Sequence, residues 1–86
     1  MGVNKKLLHK ILEGLSDVNI RFTELEKLLI DFGFRERTKG SHRIFFRENV
    51  VEIINLQPLR NGKTKPYQVK QVRNLIFKYS LHKEVL

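Results

Sequence analysis

Between Phe34 and Gln57 the chain reverses direction twice with almost no residues to spare. Three extended runs, FRERT (34–38), HRIFFR (42–47) and VVEIINLQ (50–57), are separated only by Lys39-Gly40-Ser41 and by Glu48-Asn49. The second and third runs are rich in Ile, Val and Phe, which fit a pleated, half-buried surface. The links carry turn-forming residues. Links this short join antiparallel neighbours, because a parallel pair needs a crossover of about a dozen residues or more. A three-stranded meander in the order 1-2-3 follows. Phe45 and Phe46 are adjacent and so point to opposite faces of their strand. Which of them is inside turns on the exact register, since a slip of one residue swaps the faces.

On either side of this segment the apolar period is helical. Asn4 is placed to cap a first helix through KKLLHKILE, and Gly14 to end it. Leu8, Ile11, Leu12 and Leu15 form its apolar stripe. Ser16 to Arg21 reads as a connector. Thr23 and Glu26 have the T-x-x-E spacing of a capping box, and Phe22, Leu25, Leu28, Leu29 and Phe32 the stripe of a second helix that Gly33 ends. After a loop from Pro58 to Thr64 with Asn61-Gly62 as its turn, Pro66 fits the first turn of a last helix. In that helix Val69, Val72, Leu75, Ile76 and Tyr79 gather on one side, and Lys70, Arg73 and Lys78 mainly on the other. The order is α-α-β-β-β-α, an α+β fold with helices on one face of a small antiparallel sheet.

The chain has 86 residues, enough for one domain, and its 17 Lys plus Arg against 9 Asp plus Glu leave a net charge of +8. That surplus points to a polyanionic partner, with nucleic acid foremost. There is no cysteine, which excludes a disulfide framework, a thiol nucleophile and a Cys-based zinc site. His9, His42 and His82 have no metal-ligand spacing, and no carboxylate cluster flanks His42. No apolar run approaches the ~20 residues of a membrane span, and the N-terminus lacks the apolar core of a secretory signal. The expected compartment is the cytoplasm, with no metal, cofactor or membrane partner.

One segment carries chemistry. Lys39-Gly40-Ser41-His42-Arg43 sets a histidine between two cations, beside a glycine that lets a phosphate approach the backbone. RNA brings its own nucleophile, the 2′-OH, so a protein cleaves it without metal by moving protons and stabilising the charge on phosphorus. Histidine suits the first task and Lys or Arg the second. Lys63, Lys65, Lys70 and Arg73 form a second candidate phosphate patch at the start of the last helix. Tyr67 stacks on a base or packs on the sheet, and the sequence leaves both open. His9, among the lysines of the first helix, reads as a solvated side chain, and His82 sits near the C-terminus, where a histidine favours the helix dipole.

The order of these features resembles a known family. KGSHRIFF follows a helix, Gly33-Phe34 and a basic strand, and is itself followed by an apolar strand, INLQP and KPYQVKQVR. From about Phe22 to Leu81 the chain resembles the HicA toxins of bacterial toxin–antitoxin systems. The resemblance implies a fold like that of double-stranded-RNA-binding domains. It also implies a ribonuclease that cleaves mRNA in response to stress and is neutralised by a HicB-type antitoxin covering its site. By position in the motif, the catalytic histidine is His42, with Ser41 and Gln57 in support. Gln57 stands where many family members carry a second histidine, and glutamine does not titrate near neutral pH. The expected layout is one domain over 1–86, with a family core at 21–82 behind an N-terminal helical extension at 1–20. Two other readings remain open on sequence grounds. One is a non-catalytic RNA-binding module using the same basic face. The other is an interaction domain for an acidic protein.

Overall fold

The computed structural model describes residues 2–86 and shows the α-α-β-β-β-α order. The helices are α1 (Lys5–Glu13), α2 (Phe22–Asp31) and α3 (Pro66–Lys78), with short 3-10 turns at Asp17–Asn19 and Leu81–Glu84. The strands are β1 (Arg35–Lys39), β2 (His42–Arg47) and β3 (Val50–Leu56), in one antiparallel sheet of order β1-β2-β3. β1 thus runs one residue later than FRERT, and β3 ends at Leu56, leaving Gln57 just beyond it.

Local chemistry sets the helix ends. The Asn4 side chain accepts from the Leu7 N–H at 3.0 Å, as an N-cap does, and Gly14 ends α1. At the end of α2, Gly33 takes φ +89° and donates to the Ile30 carbonyl, while Phe34 donates to that of Leu29. This Schellman arrangement needs a residue at ease in the left-handed region, and it turns the chain straight into β1. The start of α2 differs from expectation. Arg21, not Thr23, is the N-cap, and its N–H is bonded at 3.1 Å by the carboxylate of Glu24. The helix begins one residue before Thr23, so Thr23 and Glu26 form no capping box, and Glu26 faces the sheet.

All helices lie on one face of the sheet. Phe45, Ile54 and Leu56 point inward with no exposed surface, against Leu8, Ile11, Leu25, Val69 and Val72, which are as fully buried. Each such side chain contributes about 1.5–3 kcal/mol by leaving water. Phe45 is therefore the inward member of the Phe45-Phe46 pair. Leu15 departs from the predicted stripe: it lies past Gly14, outside α1, and is exposed, while Leu7 takes its place in the core. Lys78 and Tyr79 tie α3 to β3 by hydrogen bonds to Glu52, which hold that carboxyl down at about 2.

Candidate active site

The β1–β2 hairpin presents His42. Lys39 pairs with His42, so Gly40 and Ser41 alone make the turn, with φ +62° at Gly40 and no positive φ at Ser41. This is the II′ pattern, whose first central position is favourable to glycine. From this turn the strands alternate. Arg35, Arg37 and Lys39 of β1, His42, Ile44 and Phe46 of β2, and Ile53 and Asn55 of β3 share the outer face, away from the helices.

On that face the exposed His42 ring has a fixed partner. Its Nδ1 lies 2.8 Å from Asn55 Oδ1. An oxygen acceptor there requires the proton of the neutral ring on Nδ1, which leaves the Nε2 lone pair open to solvent. Next to it, Gln57 Nε2 donates to Ser41 Oγ at 3.1 Å and joins the β3 end to the hairpin turn. A buried glutamine supports both. Gln68, in the first turn of α3, accepts from the Gln57 N–H at 3.4 Å and donates to the Asn55 carbonyl at 3.5 Å. It thereby stands in for a neighbouring strand along the open edge of β3 and holds the residues that hold His42. Lys39, opposite His42 on the same face, supplies a cation.

The other expected site residues are not all brought here. Arg43 is next to His42 in sequence, yet alternation sends it to the helix-facing side. There it lies 3.4 Å from Glu36 and 3.8 Å from Glu26. A hydrogen bond with Glu36, then partial burial and repulsion by that neighbour, pushes the Glu26 carboxyl up to about 7 against the pull of Arg43. Arg73 is turned inward. Its Nη1 donates to Asp17 Oδ1 at 2.9 Å and to the Ile11 carbonyl at 3.2 Å, and the guanidinium packs against Gly14. Lys63 donates to Asn19 Oδ1 at 3.0 Å. Lys70 and the exposed Tyr67 line a groove between β3 and α3 with Glu52 and Lys78. Lys65, at the N-cap of α3, is half-buried. Of the cations Lys63, Lys65, Lys70 and Arg73, Arg73 and Lys63 are thus engaged by partners within the protein. His9 is exposed on α1, and His82 packs edge-on against Phe77 at a centroid distance of 5.2 Å. Among the described residues no three His, Asp or Glu side chains gather as metal ligands.

Asn55 and Gln68 are the members of the His42 cluster that sequence reasoning passed over. The signal for Asn55 lay in the alternation of INLQ, where Ile54 and Leu56 turn inward and Asn55 and Gln57 outward.

Residues 22–78, about two thirds of the chain, match the family model described as HicA toxin of bacterial toxin-antitoxin. The chain belongs to the HicA toxin family. The match runs from the first residue of α2 to the last of α3 and takes in the whole sheet, so every side chain of the His42 cluster lies within it. HicA proteins are the toxins of toxin–antitoxin pairs, in general mRNA-cleaving, and an antitoxin partner goes with them. No curated protein and no solved structure matches the chain. Helix α1 lies outside the HicA match, yet its Leu8 and Ile11 are fully buried in the common core. Among the described residues no helix is long and apolar enough to cross a membrane.

Proposed function

We propose that this HicA toxin is a metal-independent endoribonuclease acting on mRNA, with His42 as its general base. The observation that carries the reading is the His42–Asn55 hydrogen bond on the open face of the sheet. It fixes the ring so that Nε2 is the free basic nitrogen. In the proposed step Nε2 takes the proton of the RNA 2′-OH, and the 2′-oxygen attacks phosphorus. The bond to the 5′-oxygen breaks, leaving a 2′,3′-cyclic phosphate, and the departing oxygen takes a proton from water. Lys39 stabilises the charge that builds on the phosphoryl oxygens. Ser41 and Gln57 keep the hairpin turn and the β3 end together. Asn55 and Gln68 are positioning residues.

On this reading residues 21–82 form the family core and 1–20 an extension that completes its helix layer. The antitoxin is of HicB type and covers the His42 face, and the protein works in the cytoplasm, where mRNA is. Of the sequence-predicted RNA ligands, Lys39 stands at the site. Lys63, Lys65 and Lys70 are peripheral, and Arg43 and Arg73 are engaged in ion pairs within the protein.

The test is cleavage of long RNA in EDTA by wild type and His42→Ala, with folding checked by circular dichroism. Removing the base is expected to lower the rate by about 10²–10⁴-fold in a folded protein. Equal cleavage by both would overturn the reading, and RNA binding without cleavage by wild type would favour the non-catalytic module. Asn55→Asp adds a second readout. A carboxylate at Nδ1 stabilises the imidazolium, so the acidic limb of the pH–rate profile should move to higher pH.

A further inference from the structure

The outer face of the sheet extends well beyond His42. Along β1 it carries Arg35, Arg37 and Lys39 at alternate positions, about 6.6–6.8 Å apart along the strand. All three are exposed, and none forms an ion pair among the described residues, whereas Arg43, Arg47, Arg73 and Lys78 each do. Beside this column, the Arg37 guanidinium lies 5.4 Å from the centroid of the half-exposed Phe46 ring. Phe46 and Arg35 also line an open cleft of about 710 Å³ at the end of the sheet far from His42. Arg47 lines the same cleft, and its Nη1 is buried without a hydrogen-bond partner. His42 and Phe46 are four residues apart on one face of β2, about 13 Å.

Unpaired cations in a regular row call for a polyanion with a regular repeat. An aromatic ring with a guanidinium 5.4 Å from its centroid, and a cleft beside them, suit the planar faces of bases. In a duplex those base faces are hidden, so the ligand that uses both features is single-stranded. An acidic protein segment would satisfy the cations but leave the Phe46 cleft without a role.

We propose that the outer sheet face is a track for single-stranded RNA, its phosphates along Arg35, Arg37 and Lys39. One base lies in the Phe46 cleft, and the chain passes His42 at the other end. The proposal rests on RNA being the ligand of the His42 site, and it adds the strandedness of the substrate and a base site remote from the cut. It also moves the main RNA contact from the basic side of α3 to the opposite face of the molecule.

The probe is a short fluorescein-labelled 2′-O-methyl RNA, which lacks the nucleophile and survives intact. It is titrated by anisotropy as a single strand and annealed to its complement, over a range of salt. The single strand should bind more tightly than the duplex. Phe46→Leu, which keeps an apolar side chain and loses the ring, should weaken single-strand binding about fivefold or more. The double variant Arg35→Gln/Arg37→Gln should weaken it further and lower the log–log salt slope by about 1.4. Lys6→Ala on α1, a change of equal charge per site, should alter affinity less than about twofold.

Unchanged single-strand affinity in both Phe46→Leu and the arginine variant overturns the track. So does preferred binding of the duplex with a loss at Lys70→Ala, which would put RNA on the α3 side. Failure to bind either RNA, with an acidic protein captured at this face instead, overturns it as well. The two proposals can fail separately. Normal cleavage by the Phe46 and arginine variants with unchanged RNA binding sinks the track and spares the ribonuclease. Track-dependent binding by a wild type that never cuts does the reverse.

Discussion

The two faces of the sheet use the same residue types to opposite ends. On the inner face Phe45, Ile54 and Leu56 are sealed under the helices, and the cation that faces inward, Arg43, is matched by Glu36 and Glu26. On the outer face Phe46 is half-exposed, Val51 and Ile53 are 87% and 64% exposed, and Arg35, Arg37 and Lys39 have no carboxylate partner among the described residues. A net charge of +8 therefore says little until the pairing is known. Arg73 and Arg43 serve the fold. The β1 cations are left for something outside it.

The contrast can be broken by substitution. The largest effect should come from Phe45 against its neighbour: Phe45→Ala is expected to cost about 3–5 kcal/mol of stability. Phe46→Ala should cost under about 1 kcal/mol. Urea unfolding of both variants measures the difference, and equal losses would mean that the outer face is packed after all. Next comes the pair Arg73 and Arg37. Arg73→Ala leaves Asp17 and the Ile11 carbonyl without their donor and should cost about 1–3 kcal/mol. Arg37→Ala should stay within about 0.5 kcal/mol in the same titration.

The smallest effect sharpens the inner side. Glu26 has its carboxyl raised to about 7 in the fold from an ordinary value of 4.5. The folded state therefore holds a proton that the unfolded chain releases earlier. The stability this brings is complete below about pH 4.5 and is lost as pH rises through 7. Glu26→Gln should flatten the fall in stability between about pH 5 and pH 8, read from thermal midpoints. An unchanged pH dependence would remove Glu26 as its source.

Much of this arrangement was legible in the chain. Asn4, Gly14, Gly33 and Pro66 mark helix ends through contacts that span a few residues, and such signals survive any tertiary context. The KGSH turn could be located because a two-residue hairpin needs a particular backbone at Gly40. Arg43 was misplaced beside His42 because nearness in sequence is the reverse of nearness in a strand. Sequence alone groups Arg73 with Lys63, Lys65 and Lys70 as a phosphate ligand, because helical spacing shows a side, not a partner. Its acceptors, Asp17 and the Ile11 carbonyl, lie 56 and 62 residues away in the chain.

The sequence by itself determined the element order, the antiparallel meander and the presence of one histidine at a glycine turn. Each of these depends on periodicity, turn length or residue type within a short window. Tertiary structure alone decided which face of the sheet is covered, and with it the fate of every alternate residue. It also decided that Asn55, thirteen residues from His42, orients the ring, and that Gln68 holds the strand end bearing Asn55. Those contacts require the register of β2 on β3 and the docking of α3 against an open edge. Both are set by the burial of Phe45, Ile54, Leu56 and Val69 together, and no local signal carries that cooperative packing.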